Sequence, residues 1–351
     1  MTADKFLLLL TLVSCAYLFW GFKVLSLERW QILAAVPVSK EGNGNWKGIN
    51  LTWYGLLTAN AYVVAVAALF FLLGAIRVPL AATATASAAM LLVCVPASSL
   101  IAKIVEKKAH TFTIGGAVFV GVLLAPWIIR LVNLTMGADR MFYVPSMAAL
   151  AAFSIAYAFG EGFGRLACIS FGCCFGKPLT ELRPLPRRMF RDLCFVFYGK
   201  TRKIAYSGAM EGKKVLPIQA LTAVICVGTA LCATTLFLRT WYAAAYILSM
   251  TATQSWRVFS ETLRADYRGP GKFSIYQTMG IISIVYGISM AVLLPAAAPD
   301  SLPDAASGFS TIWHPAPIFF LQVLWLAIFI HTGKSSVTGS SISFYVHPDR
   351  I

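Results

Sequence analysis

YGLLTANAYVVAVAALFFLLGAI, residues 54–76, carries no charged residue from end to end. A helix of about 20 apolar residues spans the hydrocarbon core of a bilayer. In lipid, only helices and closed barrels satisfy their own backbone hydrogen bonds. Barrel strands read as short alternating segments, whereas this run is continuous. Outward from it, comparable runs lie near 6–26, 80–104, 113–133, 146–160, 216–238, 241–256, 275–295 and 317–331, about nine in all. Of the 351 residues, 58% are hydrophobic and 12% charged, against about a quarter charged in an ordinary soluble protein. The sequence therefore predicts an all-α fold, a polytopic transmembrane helix bundle.

Two of the runs need comment. Lys5 followed by LLLLTLVSC resembles a secretory signal, and Leu12-Val13-Ser14-Cys15 fits a lipoprotein cleavage box. The apolar run nevertheless continues through AYLFWGF, so residues 6–26 read as an uncleaved membrane anchor. The run at 146–160 is short and flows into FGEGFGRLACISFGCCFGKPL, residues 159–179, which reads as a re-entrant or broken element.

The net charge is +15. Its basic residues occupy loops between apolar runs, which points to anionic lipid head groups and to membrane topology, with no nucleic acid partner. The longest polar insertion, 177–215, contains Arg183, Arg187, Arg188, Arg191, Lys200, Arg202, Lys203, Lys213 and Lys214. It reads as a small extramembrane cap or arm without a core of its own. The chain divides into an N-terminal anchor and loop (1–50), a membrane domain (51–295) and a C-terminal helix with a polar tail (296–351). Nothing in the sequence specifies an oligomer.

Five of the eight cysteines (Cys15, Cys94, Cys194, Cys226, Cys232) stand alone in or beside apolar stretches and read as small buried hydrophobes. Cys168, Cys173 and Cys174 form a C-x4-C-C pattern. Zinc sites usually have four ligands, with paired C-x2–4-C spacing and often histidine, and none of the four histidines lies near. A disulfide or close packing stays open, and no metal or cofactor is expected.

Ionisable residues within membrane segments are costly, which makes each a functional candidate. Glu161 and Arg165 stand at i,i+4, as do Arg257 and Glu261, with Arg264 three residues further on. Tyr54 opens the run quoted above. Two arginines at membrane depth suit phosphate, because the guanidinium fork matches phosphate oxygens bidentately and keeps its charge. Glycines at 160, 162, 164, 172 and 176 would let the backbone approach a head group. The structural alternative is that the Arg–Glu pairs only lock helices together.

These motifs resemble one family, the prolipoprotein diacylglyceryl transferases of bacterial inner membranes. The family signature G-R-x-G-N-F-x-N-G-E-x-x-G-R lines up without gaps on residues 164–177, matching Arg165, Gly172 and Gly176. Trp53-Tyr54-Gly55-Leu56 resembles its W-Y-G-L element and Gly115-Gly116 its H-G-G segment. Pro217 and Gln219 resemble H-P-T-Q-L-Y-E. Arg257, Glu261, Arg264 and Asp266 resemble R-F-x-x-E-x-x-R-x-D, and Ser274 with Gln277 resembles the following S-x-x-Q. The similarity runs from about residue 50 to 290, in the family's order.

The resemblance implies an enzyme that moves diacylglyceryl from phosphatidylglycerol to the lipobox cysteine of a prolipoprotein signal peptide, in a multi-pass inner-membrane setting. Arg165 and Arg257 would hold the phosphate and stabilise charge on the leaving group. Tyr54 would line the lipid site, and Glu261 would orient Arg257. Glu161, Gly115, Gly116, Gly172, Gly176, Gln219 and Arg264 would complete the substrate site.

The sequence also departs from the family. The signature Asn and Glu are Cys168 and Cys173, and the second Asn is Phe171. The H-G-G histidine falls on Ile114, with His110 one helical turn away. The H-P-T-Q histidine is Leu216, and Leu221 and Thr222 replace its Tyr and Glu. A phospholipid-binding or transport protein, or a transferase with another acceptor, therefore stands as the alternative. The basic loops fall on one side, which the positive-inside rule makes cytoplasmic; the resemblance implies an exoplasmic site.

Overall fold

The apolar runs fold as helices because, in a chain this poor in polar partners, each helix satisfies its own backbone. The structure is a computed structural model and describes residues 2–28, 31–42, 44–107, 113–137, 143–266, 273–294, 302–334, 343–344, 347 and 349. His110 and most of the polar tail lie outside the described residues.

In chain order the elements are α1 (Ala3–Val24), the hairpin β1 (Ile32–Lys40) and β2 (Trp46–Thr52), α2 (Trp53–Ala75), α3 (Leu80–Glu106), α4 (Ile114–Met136) and α5 (Ser146–Phe171). The polar insertion follows, with a 3-10 turn at Leu179–Glu181, α6 (Pro184–Met189), β3 (Phe195–Val196), α7 (Lys203–Gly208) and β4 (Lys214–Val215). Then come α8 (Ile218–Leu238), α9 (Tyr242–Glu261), α10 (Ile275–Leu293), α11 (Ala305–Ile312), α12 (Pro315–Gly333) and β5 (Ser343–Phe344). β1 pairs antiparallel with β2, which also pairs with β5; β3 and β4 form a second small sheet.

Among the described residues, eight helices are long and apolar enough to cross a membrane: α1, α2, α3, α4, α5, α8, α10 and α12. The protein is an all-α, multi-pass membrane protein. A further long helix, α9, carries Gln254, Arg257 and Glu261 and packs against α5, α8 and α10.

α5 lies at the centre and is buried along nearly its whole length. Its small residues explain why. A Cβ on Gly162 would lie 2.6 Å from the Val227 side chain of α8, and one on Gly160 would lie 3.0 Å from Ala65 of α2. Small residues let helix backbones approach closely where no hydrophobic force drives helices together in lipid. The expected break near residue 160 is therefore absent: the helix runs unbroken to Phe171 and stops at Gly172, which adopts the left-handed conformation (φ 67°) of a helix C-cap.

The short connections at 76–79 and 239–241 turn the chain back on itself, and successive long helices alternate in direction. One end of the bundle consequently gathers the start of α2, the start of α4, the end of α5, the start of α8 and the end of α9. The same end ties α2 to α12, so closely that a Cβ on Gly55 would overlap Gly333 Cα. The polar insertion caps this end. Phe195, Phe197, Ile204 and Val215 join the main apolar core rather than forming a separate one.

Arg202 anchors this cap. It is fully buried, donates to Ile169 O (3.1 Å) and Leu25 O (3.0 Å) and to Glu28 O, and lies over the Phe197 ring. One guanidinium thus binds carbonyls at the ends of both α1 and α5. Burial lowers its pKa to about 10, with the Glu28 carboxylate opposing the shift, so it stays charged at neutral pH.

Of the lone cysteines, Cys226 is buried, but Cys15 and Cys232 are exposed on helix faces and Cys94 and Cys194 are part-exposed. The expectation of five buried hydrophobes is corrected: on a membrane helix, lipid is as suitable a surrounding for a thiol as the core.

Candidate functional site

At the capped end, α5 contributes Tyr157, Glu161 and Arg165, successive turns of one face. α9 contributes Arg257 beside them. Glu161 receives both arginines: Arg165 Nη2 meets Oε1, and Arg257 Nη2 lies 3.0 Å from Oε2. Arg257 Nη2 also donates to Tyr157 Oη at 3.3 Å. All three charged groups are buried. The carboxylate bridging to Arg257 is thus Glu161 from the neighbouring helix. Glu261 lies 3.6 Å from Arg264, which is held bidentately by Asp266 at 2.8 and 2.7 Å.

This cluster has unused capacity. Arg165 Nε and Arg257 Nε have no hydrogen-bond partner among the described residues. A buried guanidinium donor without an acceptor is costly, and native structures rarely leave one. The two arginines line a narrow polar pocket between α5, α8 and α9, with Trp256, Ser260 and Thr222 on its wall.

Beside it lies an apolar cavity of about 290 Å³, lined by α2, α3, α4, α5, α9 and α12. Its wall on α5 extends from Leu150 to Cys168, about 27 Å along a helix axis, close to the hydrocarbon thickness of a bilayer. Tyr157 and Glu161 line both the apolar cavity and the polar pocket. Tyr54, Cys168, His331 and Thr332 line the cavity too.

The remaining candidates converge on the same end by backbone geometry. Gly115, in the first turn of α4, faces Arg257: a Cβ there would lie 2.9 Å from Nη1. Gly116 packs on α3 instead, where a Cβ would lie 2.7 Å from the Ile101 side chain. Gly176 forms a β-bridge with Arg264, and a Cβ on it would lie 2.5 Å from Leu216 O, so only glycine fits. Gln219 donates to Cys173 O at 2.9 Å, holding the turn after α5 against the start of α8. Gly172 caps α5.

No protein-family model matches this sequence, and no curated protein does.

The sequence alone does not single out Tyr157 or His331. Tyr157 stands four residues before Glu161 and eight before Arg165, a helical stripe that is the signal for it. His331 sits at the end of α12, far in sequence from the motif elements, and only the α2–α12 contact brings it to the cavity. Tyr54 packs edge-on against Phe171 at 5.5 Å and borders the three clustered cysteines.

Proposed function

We propose that the protein transfers a diacylglyceryl group from phosphatidylglycerol, or a similar anionic phospholipid, to the lipobox cysteine thiol of a prolipoprotein in the bacterial inner (plasma) membrane. One observation carries this reading: two buried guanidiniums with unpaired donors line a polar pocket that shares Tyr157 and Glu161 with an adjoining apolar cavity between the membrane helices. Part of an acyl chain suits the cavity, which opens between the helices, and the phosphate suits Arg165 and Arg257. As sulfur attacks the glyceryl carbon, charge grows on the departing phosphate oxygen. Fixed guanidiniums in a water-poor pocket stabilise such charge without reorganising. Glu161 keeps both arginines oriented, and Tyr157 helps hold Arg257.

Binding or transport without turnover is the second reading. It is favoured by Glu161 already pairing with both arginines and by Ile114 and Leu216 standing where a proton acceptor would be useful. Turnover separates the two. Purified protein in phosphatidylglycerol vesicles, given a lipobox peptide, is expected to release glycerol phosphate and raise the peptide's mass by one diacylglyceryl group. The Cys→Ser peptide should gain nothing, and Arg165→Ala should lower the rate by about 100-fold or more while the protein remains folded. Intact phospholipid after incubation with well-folded protein would favour the binding reading or a transferase with another acceptor.

A further inference from the structure

Cys168, Cys173 and Cys174 lack, in sequence, the fourth ligand and the nearby histidine of a usual zinc motif. In the fold their three Sγ atoms all lie within 4.8 Å of one another. Tetrahedral zinc thiolates, with bonds of about 2.3 Å, hold their sulfurs about 3.8 Å apart, so a small contraction would bring these three onto one ion.

The turn that gathers them is built for it. α5 ends at Gly172, Cys173 N bonds to Cys168 O at 3.1 Å, and Gln219 fixes Cys173 O. Cys174 itself sits at φ 55°, a left-handed conformation disfavoured for a side chain of this kind. Tyr54 packs against the cluster. Cys168 and Tyr54 also line the apolar cavity, so one side of the cluster faces the lipid site.

We propose that Cys168, Cys173 and Cys174 form a three-thiolate site for a divalent thiophilic ion of the zinc class, whose open fourth position takes the acceptor thiol. The role, though not the metal site itself, rests on the transferase reading above. Three protein ligands plus one open position is the pattern of catalytic rather than structural zinc. Thiol attack needs the thiolate, and no histidine stands at position 114 or 216 to accept the proton. The ion supplies that function. The acceptor thiol displaces a metal-bound water, and its proton passes to solvent. The bound sulfur then forms a bond to the glyceryl carbon, and the carbon–oxygen bond to phosphate breaks. Its electron pair stays on the phosphate oxygen, which departs as glycerol phosphate beside Arg165 and Arg257. No electron leaves the metal. The neutral thioether product is a weaker ligand, and water replaces it.

The test uses full-length purified protein in detergent, with cobalt(II) as the spectroscopic probe. One equivalent should give thiolate-to-cobalt charge-transfer absorption, lost on adding zinc. Cys173→Ser, a near-isosteric change, should weaken cobalt binding by more than the about 10–100-fold that loss of an outer-shell partner costs. Cys226→Ser should bind as the parent does. A lipobox peptide should shift the cobalt ligand-field bands, and its Cys→Ser counterpart should not. Absent charge-transfer bands, or a Cys168 disulfide found by thiol counting, would overturn the site. Cobalt bound but indifferent to the thiol peptide would overturn its role. Transfer undiminished after chelation would also overturn the role while keeping the transferase reading, and would point to His331 as the proton acceptor. No transfer in zinc-loaded protein would defeat the transferase reading whatever the cobalt spectra show.

Discussion

Glu161 is the residue on which the site turns, and its neighbours give its replacement by an amide a defined consequence. One buried carboxylate compensates two buried guanidiniums. Removing one partner of a buried ion pair costs about 3–5 kcal/mol because the remaining charge is left uncompensated. Glu161→Gln should therefore lower the thermal unfolding midpoint sharply in zwitterionic detergent. It should also leave the arginines in greater need of an external anion, so phosphatidylglycerol should restore more of the midpoint in the variant than in the parent. Equal restoration in both would mean that the arginines do not receive the lipid phosphate. The Glu161–Arg165 pair is legible from i,i+4 spacing. The Glu161–Arg257 pair is not, because it depends on how α5 and α9 cross. The role of Arg202 is hidden for a similar reason: among the basic residues of 177–215, only the fold shows which one meets the carbonyl ends of two helices.

Among the elements, the apolar runs of the sequence coincide with the nine long helices of the described residues to within a few residues at most ends, because a helix is the one open-chain form that satisfies its own backbone in lipid. The exception is α5, whose helix continues eleven residues beyond 160. Glycine density suggests a break there, but between tightly packed membrane helices glycine is an interface residue. The hairpin of β1 and β2 is legible only as a loop, since β1 is exposed along nearly its whole length and the β2 sequence WKGINLT shows no unbroken apolar–polar alternation. The approach of α4 to α9 gives a prediction of its own. Gly115→Ala would push a Cβ to 2.9 Å from Arg257 Nη1 and 3.1 Å from the Tyr276 ring. The contacted guanidinium can yield by a few tenths of an ångström, so the fold should survive. Misplacing a catalytic group by about 1 Å costs about 100-fold, and this smaller shift should cost about 3- to 10-fold in transfer rate with an unchanged unfolding midpoint. A lowered midpoint with unchanged transfer per folded molecule would show that Gly115 serves packing alone.

For the whole molecule, charge and chemistry make opposing demands. Alternating helices collect the arginine site, the cysteine cluster and the basic cap at one end of the bundle. Lys and Arg near membrane segments favour the cytoplasmic side, yet a lipobox thiol on an exported protein requires the site to face outward. The proposed function therefore predicts an outward-facing cap. Cys194 offers the means to check it, since it lies in the cap and is part-exposed, whereas Cys15 and Cys232 lie on membrane helices. In intact cells, a membrane-impermeant maleimide should label Cys174→Ser and fail to label it once Cys194 is replaced by serine as well. Labelling that appears only after the membrane is opened would put the cap in the cytoplasm. The arginines could then still hold an anionic phospholipid, but the acceptor thiol would have to be a cytoplasmic one.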